Sequence, residues 1–452
     1  MSRAPRTMPP RNSLDRIGTG QALYRKACRL MPGGTQLLSK RPERFLPQQW
    51  PAYYSKAAGA EIWDLDGRKY LDMSILGAGA CVLGYADPDV NSRVVQALQD
   101  GSMCTLNCPE EVELAEVLCE LHPWAEMVRF GRGGGEAMAM AVRIARASTG
   151  RETIAFCGYH GWHDWYLASN LADRAALDGH CLSGLEPAGI PRGLKGTAIP
   201  FHANQLDELR AIVSAHRGEL AAIVMEPARA AGPAPGLLEA VRQTADAIGA
   251  VLIFDEVTSA WRMTTGGIHL QYGVSPDMAV FAKAMGNGYP MAAVIGTTAV
   301  MQAALKTFLS STAWTERVGP AAALATIRKF RDLNVSRRLI EVGERVQRGW
   351  VHAAQRHRLK VQVSGIPPLS HLVFEYENEL ALSTLFTQWM LDEDILASVQ
   401  FYACAAHQEE QVSRYVDAVD RTFARLARAV EDDAVERSLR GPIRQPGFQR
   451  LS

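Results

Sequence analysis

Residues 251–257 read Val251-Leu252-Ile253-Phe254-Asp255-Glu256-Val257, four apolar residues running into two acids. A short apolar run of this kind suits a strand buried on both faces of a sheet. An acid at the end of such a strand is costly to bury unless a cation neutralises it. A magnesium ion meets that need, and so does a protonated ring nitrogen. Further along stands Phe281-Ala282-Lys283-Ala284-Met285-Gly286-Asn287-Gly288, with its lysine among small and apolar neighbours. One reading of Lys283 is a buried stem with its ammonium snorkelling to water. The other is a buried lysine whose depressed pKa leaves a neutral amine, the form that attacks a carbonyl.

Outward from these two stretches, strand-like runs at 128–130, 153–156, 221–225 and 278–281 alternate with helical patterns at 136–148, 205–215 and 236–248. Short apolar strands separated by helices predict an α/β fold, a mostly parallel sheet with helices on both faces. Nearer the start, residues 14–31 predict a helix stopped by Pro32-Gly33-Gly34. Residues 61–64 and 69–72 flank Asp66-Gly67, a hairpin signal because both residues tolerate the positive φ of a tight turn. From about Arg328 the pattern shifts to long amphipathic helices with a strand at 371–376, which predicts a small α+β domain that the early hairpin can join. The expected division is a flexible arm at 1–13, an N-terminal segment of the small domain at 14–86, a large domain at 87–325 and the C-terminal small domain at 326–452.

Bulk composition narrows the function classes. A chain of 452 residues exceeds one compact core. Its 48 basic and 48 acidic residues cancel, leaving no electrostatic footprint for nucleic acid or an anionic membrane. Of the eight cysteines only Cys104 and Cys108 are close together, and no second pair or histidine cluster completes a metal site. Reduced thiols in a cytoplasmic protein are expected. The first residues, MSRAPRTMPPRNS, are basic and proline-rich without an apolar core behind them, unlike a signal peptide.

Two more motifs carry chemistry. Phe130-Gly131-Arg132-Gly133-Gly134-Gly135-Glu136 runs from a strand through glycines into an alanine-rich helix. Glycines let the backbone approach an anion, and a helix N-terminus offers free N–H groups, so a phosphate fits there. Such a turn can equally be purely structural, and no Gly-Lys-Ser/Thr follows as in a nucleotide loop. Gly158-Tyr159-His160-Gly161-Trp162-His163-Asp164 directly follows the 153–156 strand. It falls at a strand's carboxyl end, where ligands bind in alternating sheets, and its aromatics suit stacking on a flat ring or the packing of a surface loop. Phosphate loop, aromatic, strand-end acid and buried lysine, in that order, are the four contacts that pyridoxal 5′-phosphate (PLP) requires.

The stretches MPGG (31–34), WDLDGRKYLD (63–72), LGYADPDV (83–90), Tyr159-His160-Gly161, FDEV (254–257) and Lys283 followed by GNGYP (286–290) make the chain resemble the class III, fold type I aminotransferases. Among them it is most similar to proteins of the glutamate-1-semialdehyde aminomutase type, from about residue 31 to the end. The resemblance implies that Gly134 and Gly135 bind the phosphate, Tyr159 stacks on the ring, Asp255 pairs with the pyridine nitrogen and Val257 covers the opposite face. It makes Lys283 the Schiff-base lysine and places Glu226 and His160 near the cofactor. It also brings Thr312 from the neighbouring subunit of a homodimer onto the phosphate, giving shared active sites.

The chain departs from the family pattern in two places. Gly133-Gly134-Gly135 stands where the family has Ser-Gly-Thr or Ser-Gly-Ser, so two hydroxyl donors are missing. Lys40 stands near the arginine with which the aminomutases grip a substrate carboxylate, and a lysine is a poorer bidentate clamp. An aminotransferase acting on a donor amine and a small carbonyl acceptor is therefore the leading expectation. An intramolecular aminomutase is the alternative, and a PLP-fold subunit without turnover is the third reading. Candidate substrate anchors are Lys40, Arg41, Arg132, Arg262 and Arg317, with His160, His163 and His407 as further polar candidates.

Overall fold

The run ending in Asp255 is a strand, Val251–Asp255, at the centre of a seven-stranded sheet. In the computed structural model, which describes residues 18–180, 183–228 and 231–446, the sheet order is Met127–Gly131, Ala292–Gly296, Met278–Phe281, Val251–Asp255, Leu220–Met225, Thr153–Cys157 and Ala198–Pro200. Every residue of the five strands beginning at Thr153, Leu220, Val251, Met278 and Ala292 is buried. Both sheet faces are covered, which is why these runs are continuously apolar rather than alternating. Ile253 packs toward the helix Gly134–Thr149, whereas Leu252 and Phe254 pack with Leu209, Leu238 and Val241 on the other side.

The strand Ala292–Gly296 is not among the runs read from the sequence. It is antiparallel to both of its neighbours, Met127–Gly131 and Met278–Phe281. The reason is the short return from Phe281, which passes through a 3-10 turn at Lys283–Gly286 and positive φ at Asn287 and Gly288. A connection of about ten residues is too short for a parallel crossover but ample for an antiparallel return.

The helix expected at 14–31 spans Thr19–Leu30 within the described residues, and Gly33 and Gly34 both have positive φ just beyond it. The arm at 1–13 lies outside the described residues. Glu61–Asp64 and Lys69–Met73 form the hairpin, whose turn is held by Asp64 Oδ1 accepting from the Asp66 and Arg68 N–H groups at 2.9 and 2.8 Å. Lys69–Met73 then pairs in parallel with Ile395–Ala397, so a strand from the last third of the chain extends the early hairpin. A three-stranded sheet of Val361–Ser364, Leu369–Phe374 and Gln400–Tyr402 lies nearby in sequence. The long helices Val335–His357 and Glu409–Glu431 pack together, with Trp350 Nε1 donating to the Tyr415 hydroxyl at 2.9 Å in the buried seam. No described helix is long and apolar enough to cross a membrane.

Candidate active site

Four of the strands that run in one direction end at the same edge of the large sheet, and the chemistry-bearing residues stand just past those ends. They open into a cavity of about 820 Å³ lined by Gly134, Tyr159, Asp255, Val257, Thr258 and Lys283, among others. A ligand site beyond the carboxyl ends of parallel strands is where an open α/β sheet places one.

Asp255 is 3% exposed. Its Oδ1 accepts from the Val257 N–H at 3.0 Å, which folds the strand end back on itself. Its Oδ2 lies 2.7 Å from His160 Nδ1, and His160 Nε2 lies 3.1 Å from the Cys157 carbonyl. Both histidine nitrogens therefore face acceptors. His160, which also lines the cavity, is committed through its ring nitrogens to Asp255 and the backbone.

Lys283 follows the adjacent strand and has φ 46°, a left-handed conformation that a non-glycine residue adopts at a cost. Its Nζ donates to Thr258 Oγ1 at 2.9 Å. Thr258, three residues after Asp255, was not singled out in the sequence, although its place in the same strand-end turn is a usable signal.

The glycine turn opens the sixteen-residue helix Gly134–Thr149. The Glu136 carboxylate accepts from the Arg132 and Gly133 N–H groups at 2.7 and 3.3 Å. The next two N–H groups, on Gly134 and Gly135, begin the helix and lack intrahelical acceptors by geometry. Side chains are excluded at Gly134 and Gly161. A Cβ on Gly134 would stand 2.7 Å from Val257 Cγ1, and one on Gly161 would stand 2.8 Å from the Gly135 Cα. This bare-backbone cradle at a helix N-terminus fits a phosphate. The neighbouring acid and lysine fit a pyridine nitrogen and an aldehyde.

Tyr159 lines the cavity, and its N–H donates to Glu226 Oε2 at 3.1 Å. Glu226 thus orders the Tyr159 turn and is not among the cavity-lining residues. The Gly158 N–H donates to His180 Nδ1 at 3.2 Å, and burial, with help from His202 and His160, lowers the His180 pKa to about 4. His180 is therefore neutral and able to accept. Thr312 is exposed in the short turn Thr312–Thr315, and this chain's own cavity is not lined by it.

Of the five candidate substrate anchors, only Arg132 lines the cavity. Its guanidinium is tied to Glu316 Oε1 at 2.9 Å and to the carbonyls of Trp314 and Glu316. Arg317 pairs with Glu110 at 2.8 Å. Arg262 is fully buried and bonds the Gly79 and Thr258 carbonyls; burial lowers its pKa to about 10. Lys40 and Arg41 are not among the cavity-lining residues. Arg44 and Arg444, which were not anticipated, do line it. Arg444 bonds Ser383 Oγ at 2.6 Å and Glu379 Oε1 at 3.2 Å. No local pattern marks an arginine near the chain's end as a cavity residue.

Residues 46–371 match the family model described as aminotransferase class-III. The 3-aminobutyryl-CoA aminotransferase of Cloacimonas acidaminovorans (strain Evry) is 30% identical over 424 residues, covering 91% of this chain and 98% of that protein. A glutamate-1-semialdehyde 2,1-aminomutase of Lachnoclostridium phytofermentans is also 30% identical, over 427 residues, covering 88% and 97%. Among solved structures, the PLP internal aldimine form of the Sphingopyxis sp. MTA144 FumI protein superposes with a TM-score of 0.83 at 26% identity, covering 95% and 99% of the two chains. The omega-transaminase from Sphaerobacter thermophilus gives 0.80 at 26% identity, covering 92% and 99%. The fold, the cradle and these likenesses agree: the chain belongs to the class III aminotransferases, fold type I enzymes that work with pyridoxal 5′-phosphate.

Proposed function

We propose that this aminotransferase passes an amino group from a donor amine to a small carbonyl acceptor in two half-reactions, with Lys283 as the residue that carries the cofactor and handles the proton. The observation that carries this reading is the placement of Lys283 and Asp255 on adjacent strand ends, facing one cavity that also holds the glycine cradle.

PLP supplies an aldehyde that takes up the amine and a ring that accepts negative charge from the reacting carbon. Asp255, backed by His160, would hold the pyridine nitrogen protonated. Tyr159 and Val257, which line the cavity, would hold the ring between them, and the Gly134 and Gly135 N–H groups would hold the phosphate. Lys283 Nζ would hold the cofactor and, as a free amine, would take up and return the proton that moves during the transfer. Thr258, its hydrogen-bond partner, gives the amine a resting position. Glu226 keeps the Tyr159 backbone in register.

The working unit in this reading is a cytoplasmic homodimer in which Thr312 reaches the partner's phosphate. Two observations support it. Leu106 (78% exposed) and Phe308 (94% exposed) lie on the segments next to Thr312, and large apolar side chains left this open mark an association surface. Those segments are joined by the Arg317 N–H donating to the Ser102 carbonyl at 2.8 Å. The seven described cysteines are free, which supports a reducing compartment.

The test is a panel of amino donors offered to the PLP form without an acceptor. Conversion to the pyridoxamine form with one equivalent of carbonyl product is expected. Isomerised amine released with no net conversion would favour the aminomutase reading instead, and no spectral change with any donor would favour a subunit without turnover.

A further inference from the structure

The glycine cradle offers no side-chain donor of its own at 133, 134 or 135, yet an imidazole stands against it. His163 Nδ1 is buried and has no hydrogen-bond partner among the described residues. A Cβ built on Gly135 would lie 3.2 Å from that nitrogen and 3.5 Å from its Cε1 neighbour. The ring thus occupies the space that a side chain at 135 would use. Its position is fixed from two sides. Trp162 packs beside it with ring centroids 4.4 Å apart. The preceding Gly161, at φ 100°, lies so close to the Gly135 Cα that no side chain fits between them. A buried imidazole nitrogen without a partner is unfavourable, and with the ring proton on Nδ1 it calls for an acceptor at that spot.

We propose that His163 Nδ1–H is a side-chain donor to the PLP phosphate, replacing the hydroxyls absent from Gly133 and Gly135. The inference rests on the cofactor reading above. It explains why glycine at 135 is compatible with the cradle: serine there and His163 compete for one position. The two donors are alternatives.

The experiment measures binding of PLP and of pyridoxal, which lacks the phosphate, to apoenzyme reconstituted from wild type, His163→Ala, Gly135→Ser and the double variant. His163→Ala should weaken PLP binding about tenfold, the usual weight of one charge-assisted hydrogen bond, and leave pyridoxal binding unchanged. Gly135→Ser should recover most of that loss in the His163→Ala background and give no gain in wild type. The phosphorus resonance of the bound cofactor should shift in His163→Ala and return in the double variant. Equal losses for PLP and pyridoxal would mean that His163 only packs the loop. Unchanged PLP affinity would mean that Nδ1 faces water, and either result overturns the inference while leaving the cofactor reading intact. Wild type that fails to bind PLP at all would overturn both.

Discussion

The floor of the cavity comes from the strand ends of a single sheet, with Asp255, Lys283 and the Tyr159 turn side by side. The outer wall comes from segments scattered over the whole chain, among them Leu37, Arg44, His371, Gln400, Tyr402 and Arg444. In the floor Asp255 and His160 are buried and Tyr159 and Lys283 half-buried, and their polar atoms bond to one another or to neighbouring floor groups: Asp255 to His160 and Val257, Lys283 to Thr258, Tyr159 to Glu226. The wall carries part-exposed cations such as Arg44 and Arg444. A rigid floor suits chemistry common to many substrates, and a wall assembled from distant segments can change its choice of substrate without disturbing that chemistry.

The comparison is broken most severely at Asp255. Asp255→Asn should retain PLP yet lose kcat by roughly a hundredfold or more, because an amide cannot keep the ring nitrogen protonated. Stopped-flow spectra of the half-reaction check this, and near-normal turnover would remove Asp255 from its role. Thr312→Ala should weaken PLP retention about tenfold, from the loss of a phosphate hydrogen bond of roughly 1.5–3 kcal/mol. Thr312→Ser should do much less harm, and sedimentation should show a dimer at assay concentrations. A fully active monomer would contradict the shared site.

On the wall, Arg444→Leu should leave PLP affinity unchanged. It should lower kcat/KM for acidic substrates relative to neutral ones by about tenfold, since it removes a cation and leaves Glu379 beside the cavity. Equal effects on all substrates would mean that Arg444 braces the wall and does not select.

The smallest effect concerns pH. His180, neutral in the fold with a pKa lowered to about 4 by burial, takes up a proton more readily once unfolded. Its contribution to stability is complete above about pH 6.5 and is lost as pH falls toward 4, amounting to at most about 3 kcal/mol. His180→Gln, which can still accept from the Gly158 N–H, should flatten the fall in urea midpoint between pH 7 and pH 4.5. An unchanged slope would place the acid sensitivity elsewhere.

The same contrast explains what was legible in the sequence. Buried strands announce themselves as apolar runs, and each floor residue lies within a few positions of one, so Asp255, Lys283 and Tyr159 could be found without coordinates. The strand Ala292–Gly296 was missed because its run, AAVIG, is short and is framed only by single turns, Lys283–Gly286 before it and Thr298–Met301 after it. Arg44 and Arg444 were missed because their roles depend on long-range packing. The Gln445 N–H donates to the Glu43 carbonyl at 2.8 Å, bringing the two ends of the described chain together over the cavity. Arg317 was singled out by charge and Lys40 by its place near the family's arginine, and neither reveals which way a side chain faces.

The proposed chemistry turns on Lys283. Borohydride reduction of the PLP-loaded protein, followed by proteolysis and mass spectrometry, should find the reduced cofactor on a single peptide at Lys283. Lys283→Ala should be colourless and unlabelled while remaining folded. Label on any other lysine, or a yellow Lys283→Ala protein that still turns over, would contradict the assignment of the cavity floor as the place where the amino group is moved.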